Sequence, residues 1–255
     1  MKRLFLRGLP ILMALTGALL AWLQWSTPLS YPWPLLGILV TFILFAFFLS
    51  FRCSTTFVEA VHLFLPTVVV IVATGLGMLL AEQPYERVVL TLILSGIPAF
   101  ALELYYLANY DPTKYPVNGL SRLNIALVPV IAFLGAIALY GMQVFLRLNS
   151  WYSLLSFPLA AAALYFVTSH PTAEQPHRLR WSLVGAIAGL HAAILVLLLP
   201  VSLAVHGAIA VTMIAAPLRV RRYAHSPAPS RRVAYTEGIS SIVLFLAILL
   251  TSRWS

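Results

Sequence analysis

Residues 57–81 read FVEAVHLFLPTVVVIVATGLGMLLA, an apolar run in which Glu59 is the one acidic residue and Lys and Arg do not occur. An α-helix needs about 17 to 25 apolar residues to cross about 30 Å of hydrocarbon, at about 1.5 Å per residue. The run therefore predicts a transmembrane helix. A transmembrane β-strand would instead alternate apolar and polar residues over about ten positions, and this run is continuous.

Eight further apolar runs give the chain nine predicted spans. They cover residues 9–25, 35–51, 57–81, 88–108, 125–145, 151–168, 181–199, 201–216 and 233–251. The last two are weakest, because the eighth is short and polar residues between 236 and 241 interrupt the ninth, so eight spans is the alternative. Charged residues make up only 9% of the chain, too few to cover a water-soluble fold. We predict an all-α, polytopic transmembrane helix bundle, a single integral-membrane domain over residues 1–255 without a soluble domain.

The basic residues predict the orientation, because Lys and Arg in short loops stay cytoplasmic. With the N-terminus cytoplasmic, all but three of the 16 Lys and Arg residues fall on the cytoplasmic side. The three exceptions are Arg87, Arg147 and Arg253. Nine crossings then place the C-terminus outside. We predict a multi-pass protein of the cell's inner membrane.

The net charge of +9 does not indicate a nucleic-acid-binding protein, because the charges are spread over several loops and no nucleic-acid module has room to form. The richest basic cluster joins the last two spans: Arg219, Arg221, Arg222, Arg231 and Arg232. We expect this cluster to contact anionic lipid headgroups of the bilayer. A docking site for another membrane protein is the alternative.

The motifs of the common enzyme classes are missing. The sequence has no Walker loop, no Gly-x-Ser-x-Gly elbow, no His-Glu-x-x-His zinc helix and no Cys-x-x-Cys pair. The chemistry must then come from polar groups inside the spans. An ionisable group at the centre of a membrane helix costs at least about 2.5 kcal/mol and is retained for a reason.

Glu59 and His62 are the first such groups. They are three residues apart at the start of the third span and share a helix face. Pro66 follows four residues after His62, and its missing N–H leaves the His62 carbonyl without its usual helical partner. The sequence predicts a free carbonyl beside a carboxylate and an imidazole.

Glu103 in the fourth span and Asn124 in the fifth extend this polar layer. Glu103 follows Ser95 and Ala99 on one face of its helix, and those small residues would let a neighbouring backbone approach. At about 1.5 Å per residue, Glu59, His62, Glu103 and Asn124 all lie within about 10 Å of the cytoplasmic interface.

This layer has three interpretations. The first is a ligand or proton site open to the cytoplasm, with Arg122 at its edge. The second is structural: the two glutamates reach the headgroups or form ion pairs with Arg52 and Arg122. The third is a metal site, but Glu59 and His62 supply only half of the paired Glu-x-x-His motif of di-iron bundles. We expect no metal.

A second intramembrane pair consists of His191 and His206, which lie at similar depth on either side of Pro200. Two such histidines could ligate a b-type haem, and this is the one cofactor that the sequence suggests. Ordinary hydrogen bonds of neutral histidines, or a proton relay, are the alternatives. Gly185 and Gly189 in the same span form a Gly-x-x-x-Gly face, which favours a close helix crossing.

Three functions fit these observations. The first is a small carrier or permease with a polar site near the cytoplasmic side. The second is a non-catalytic structural or assembly subunit of a membrane complex. The third is a lipid-modifying membrane enzyme that uses the carboxylates as acid or base.

The predicted topology can be tested by accessibility labelling of single cysteines placed at His225 and Ser255. Position 225 should be cytoplasmic, because its loop carries the strongest basic signal, and position 255 should be outside. Finding both positions on one side of the membrane would contradict nine crossings.

Overall fold

The computed structural model describes residues 2–51, 57–147, 149–168, 175–224 and 231–251, and over these ranges the chain is helical without a β-strand. The helices are α1 (Lys2–Ser26), α2 (Trp33–Phe51), α3 (Phe57–Leu80), α4 (Pro84–Tyr110), α5 (Gly119–Leu146), α6 (Trp151–Val167), α7 (Gln175–Leu198), α8 (Leu203–Ala224) and α9 (Arg231–Thr251). A 3₁₀ turn, Pro28–Ser30, joins α1 to α2. The all-helical prediction is confirmed, and each predicted span falls on a helix.

Among the described residues, six helices, α1 to α5 and α7, are long and apolar enough to cross a membrane. The apolar parts found in the other three are shorter: Trp151–Val167, Leu203–Leu218 and Gly238–Ile248. The sequence already indicated that the eighth and ninth spans are the weakest. In the structure the apolar part of α6 is short as well. The helices identify a membrane-embedded protein, while the number of crossings and the orientation stay predictions.

Several helices are longer than the predicted spans, because a helix continues beyond the hydrocarbon into its polar ends. α4 begins at Pro84, four residues before the predicted span. Proline suits the first helical position because its φ is already helical and no N–H is needed there. The Glu86 carboxylate accepts hydrogen bonds from the backbone N–H groups of Glu82 (3.1 Å) and Gln83 (3.2 Å). This acidic cap stabilises the start of the helix.

The surface is that of a protein that faces lipid. Large apolar side chains are exposed on one helix after another, among them Leu15, Phe47, Leu92, Leu159 and Leu183. Soluble monomers rarely expose contiguous apolar patches of this kind. The buried residues include polar ones, and these carry the site described below.

The chain divides into two compact units, Met1–Leu127 and Val128–Ser255. In the first unit, α1 packs along α4, and Gly17 marks the closest approach: a Cβ there would lie 3.0 Å from the Ser95 Cα. The predicted approach of a neighbouring backbone at Ser95 is therefore confirmed. Rings of Phe42, Phe64 and Tyr105 connect α2, α3 and α4, with centroid distances of 5.6 and 5.0 Å. That one domain spans residues 1–255 stays a prediction.

In the second unit, α6 packs along α7 through the Gly-x-x-x-Gly face. A Cβ on Gly185 would lie 2.8 Å from the Ala161 carbonyl oxygen, and one on Gly189 would lie 2.6 Å from that of Phe157. The predicted close crossing is confirmed. The Ser182 hydroxyl donates to the Ala162 carbonyl at 3.0 Å and adds a polar bond to the same contact.

We expect Gly189→Ala to destabilise the protein by about 1–3 kcal/mol, because the new methyl group would overlap the Phe157 backbone and separate α6 from α7. Gly135→Ala in α5 is the matched control. A Cβ there meets nothing within 4 Å, and alanine favours the helix by about 1 kcal/mol. Thermal unfolding in detergent measures both changes. A Gly189→Ala protein as stable as wild type would contradict the close crossing.

Candidate functional site

Asn124 is the centre of the candidate site in the first unit. Its side chain is 5% exposed, and its Nδ2 donates to the Leu63 carbonyl of α3 at 3.1 Å. Its Oδ1 is buried and has no hydrogen-bond partner in the part of the chain that the structure describes. An unpartnered buried acceptor costs about 1–3 kcal/mol. The amide is thus held by its NH₂ group, and its oxygen can accept a bond from a ligand.

The Leu63 carbonyl can accept this bond because it lies in the turn that precedes Pro66. A proline inside a helix removes one backbone bond and pushes its ring against the carbonyl four residues earlier, which opens the turn. The sequence predicted the His62 carbonyl as the free acceptor. The structure shows Asn124 on the next carbonyl, that of Leu63. Opening the turn makes the neighbouring carbonyl accessible as well, and each carbonyl oxygen has two lone pairs.

One face of α3 continues from Leu63 through two buried threonines. Thr67, Val70 and Thr74 follow at the four- and three-residue intervals that define a helix face, and all three are 0% exposed. The hydroxyls of Thr67 and Thr74 have no hydrogen-bond partner among the described residues. Threonine in a helix commonly bonds a carbonyl of its own preceding turn, as Thr41 does with Gly37 at 2.7 Å. The two α3 hydroxyls make no such bond.

The five predicted site residues differ in burial. Glu59 begins the same face of α3 and is exposed, while His62 is half-buried. Both interact with other residues. Glu103 in α4 is half-buried and Arg122 in α5 is exposed. These two side chains form no ion pair with each other, although both are described. Asn124 is the member of the set that is fully buried and bonded to another helix.

The loop between α4 and α5 positions Asn124. Lys114 donates to the Asp111 carboxylate at 2.8 Å and the Thr113 hydroxyl donates to it at 2.9 Å. Both hydrogen bonds lower the pKa of Asp111 below its ordinary value, and the one from Lys114 has the larger effect. Asn118 has a φ of 55°, the left-handed conformation that asparagine tolerates, and α5 begins directly after it. The Tyr115 hydroxyl accepts the Leu120 N–H at 3.0 Å.

The two histidines of the second unit have different surroundings. His191 is exposed, and its Nδ1 lies 2.8 Å from the Ile187 carbonyl of its own helix. His206 is 0% exposed, and its Nε2 lies 3.0 Å from the Leu199 carbonyl. A carbonyl only accepts, so this Nε2 carries the proton. His206 therefore makes an ordinary hydrogen bond that closes the turn between α7 and α8.

Ligation of a haem by the two histidines stays a prediction. The His206 ring lies 4.0 Å from the Tyr140 ring, and its Nδ1 is buried without a hydrogen-bond partner in the described segments. No group of three or more His, Cys, Asp or Glu side chains suited to a metal ion occurs among the residues that the structure describes.

The basic cluster lies on two helix ends, on either side of residues that the structure does not describe. Arg219, Arg221 and Arg222 belong to the end of α8, and Arg231 and Arg232 begin α9. Residues 225–230 between them, together with residues 52–56, which include Arg52, lie outside the described residues. Contact with lipid headgroups therefore stays a prediction.

A second proline turn, which the sequence analysis missed, occurs in the second unit. The Tyr165 hydroxyl of α6 donates to the Ile214 carbonyl of α8, and Ile214 precedes Pro217 by three residues, as Leu63 precedes Pro66. Gln24, Thr67 and Thr74 were missed as well. The seven-residue spacing of the two threonines after a proline-interrupted turn was a usable signal in the sequence. The partner residues Tyr165 and Gln24 come from distant parts of the chain and gave none.

Comparisons with protein-family models, with curated proteins and with solved structures find no match for this chain.

We expect Tyr165→Phe to lower the free energy of unfolding by about 1 kcal/mol, because the buried hydrogen bond from the Tyr165 hydroxyl to the Ile214 carbonyl would be lost. Tyr152→Phe in the same helix is the control, since that ring is 62% exposed. Thermal unfolding of both variants in detergent is the measurement. Equal melting temperatures for the two variants would show that the bond to the proline turn contributes nothing.

Proposed function

We propose that the protein is a small carrier of the inner membrane that binds a polar ligand in its first unit. The binding layer consists of the Asn124 amide, the Leu63 carbonyl and the Thr67 hydroxyl. The observation that carries this proposal is the Asn124 oxygen, which is buried without a partner among the described residues while the NH₂ group of the same amide is fixed on α3. Buried polar atoms without a partner are rare in native proteins, and each asks for an explanation.

The position of the layer supports a carrier. Thr67 lies four residues after Leu63 on the same face, so its hydroxyl, which has no partner among the described residues, is about one turn farther along α3. Pro66 lies between them inside the helix and removes one backbone hydrogen bond, and irregular backbone hydrogen bonding at a binding site is characteristic of transporters. A ligand that bonds the Asn124 oxygen would favour the conformation in which this turn is open, and so shift the population between two states.

Titratable groups lie at one end of this layer. Glu59 precedes Leu63 by one turn on the polar face of α3, and His62 is next to Leu63. Under the predicted orientation this end faces the cytoplasm, with Glu103 and Arg122 on the following helices. Their charges would attract a polar ligand to the entrance.

A membrane subunit is the second candidate, and α9 favours it. In the described part of the chain α9 packs on α8, and its large apolar side chains remain exposed, including Ile239, Ile242, Val243, Leu246 and Leu250. A partner helix would cover such a flank. Purification in mild detergent followed by mass spectrometry of retained proteins and small molecules separates the two functions, because a subunit retains a stoichiometric protein and a carrier retains a polar compound.

Thr67→Val tests the carrier. The substitution removes a hydroxyl that bonds nothing in the described protein, so folding should be preserved. Loss of one ligand hydrogen bond of about 1 kcal/mol should reduce the retained polar compound roughly fivefold. Thr16→Val is the matched control, since the Thr16 hydroxyl already donates to the Leu12 carbonyl of its own helix at 2.8 Å. Mass spectrometry of the purified proteins measures the retention.

Glu103→Gln extends the test to the carboxylates. Gln keeps the shape and hydrogen-bonding capacity, so the melting temperature should stay near that of wild type, while removal of the charge at the entrance should reduce the retained polar compound. Equal retention in wild type and Thr67→Val would refute the proposed site. Absence of any retained polar compound in wild type would have the same consequence.

A further inference from the structure

A second polar layer lies farther along α3. Thr74 follows Thr67 by seven residues, which is two turns and about 10 Å along the helix axis. Its side chain is 0% exposed, and its hydroxyl has no hydrogen-bond partner among the described residues. The segment between the two threonines, VVVIVA, contains no other polar side chain. The two hydroxyls therefore form separate steps on one face of the helix.

Gln24 of α1 completes the second layer in the way that Asn124 completes the first. Its side chain is 3% exposed, and its Nε2 donates to the carbonyl of Gly75, the residue after Thr74, at 3.0 Å. Its Oε1 is buried and, in the described chain, unpartnered. Two amides from different helices thus bond to α3 carbonyls twelve residues apart, about 18 Å along the axis and about 120° around it. Neither amide oxygen has a hydrogen-bond partner among the described residues.

We infer that these two layers are the steps of a path along α3 for small uncharged molecules that donate hydrogen bonds, such as water, glycerol or urea. The inference rests on the proposed carrier function and names the class of its ligand. The free amide oxygens can only accept, so the ligand must carry O–H or N–H groups. The threonine hydroxyls both donate and accept, so they can pass such a ligand from one layer to the next.

The chemistry of the path excludes ions. From Thr67 to Gly75 the helix carries no charged side chain, so an ion would lose its water without a counter-charge. Each layer offers one free amide oxygen and one hydroxyl, whereas a hard cation such as Ca²⁺ takes about six to eight oxygen ligands. A neutral molecule needs only the few hydrogen bonds that each layer provides.

The test is solute entry into vesicles that contain the purified full chain. Stopped-flow light scattering should show glycerol entry at least fivefold faster than in protein-free vesicles, without added proton flux measured by an enclosed pH-sensitive dye. Thr74→Val should lower the protein-dependent glycerol entry at least fivefold, and Thr74→Ser should restore it because the hydroxyl returns. Thr16→Val should behave as wild type.

A melting experiment on the same proteins tests whether the path is hydrated. If Thr74 lies in a dry core, replacing its unpartnered hydroxyl with a methyl group should raise the melting temperature. If water or solute occupies the path, the melting temperature should stay or fall, because the hydroxyl then has a partner. A rise in the melting temperature of Thr74→Val would overturn the inference.

The outcomes separate this inference from the proposed function. Wild-type glycerol entry equal to that of empty vesicles, or unchanged entry in Thr74→Val, overturns the path. If Thr67→Val still reduces ligand retention in that case, the carrier site near Asn124 stands without the path. If Thr67→Val changes neither retention nor entry, both proposals fail. Proton flux comparable with glycerol entry would overturn the assignment of an uncharged ligand.

Discussion

Hydrogen bonding of backbone carbonyls near helix prolines is the constraint on which the buried structure depends. A proline ring pushes against the carbonyl four residues earlier and opens that turn of the helix, so the next carbonyl along can accept a second hydrogen bond from another helix. Asn124 bonds the Leu63 carbonyl before Pro66, and Tyr165 bonds the Ile214 carbonyl before Pro217. The three-residue offset is the same in both units. Each bond fixes which helices are neighbours and in what register, which apolar packing alone specifies only loosely.

The two bonds differ in whether the side chain that donates still has an unused acceptor. A tyrosine hydroxyl that donates to a carbonyl has used its one proton, and the Tyr165 contact is a structural one. A carboxamide has an oxygen as well as an NH₂ group, so an amide that donates to a carbonyl still presents a free acceptor. Asn124 and Gln24 both do this on α3. Because amides occupy these positions, the same side chains that hold the helices together also offer acceptors to a ligand.

The sequence predicted the fold because membrane helices follow from the length and continuity of apolar runs, and these are local properties. It also predicted the α6–α7 crossing, because Gly185 and Gly189 have no side chains and their spacing indicates a close approach. It drew attention to Asn124 and to the proline turn of α3, but it named the neighbouring carbonyl, and the role of Asn124 in binding a ligand stays a prediction. It missed Thr67, Thr74 and Gln24 because threonine and glutamine carry no charge that makes them stand out in a span. Their importance depends on which helix packs beside them.

The two carboxylates are not the most buried polar groups of the first unit, although their charge made them the first candidates for a site. Glu59 is exposed and Glu103 is half-buried, whereas the fully buried polar groups of the first unit are neutral amides and hydroxyls. This order follows from the cost of burial, which is far larger for a charged group than for a neutral one that can form a hydrogen bond. A protein that moves a polar molecule through hydrocarbon can place charges at the entrance, where water still solvates them. Neutral groups cost less to bury farther along such a helix, and α3 has this order: Glu59 is exposed, whereas Thr67 and Thr74 on the same face are fully buried.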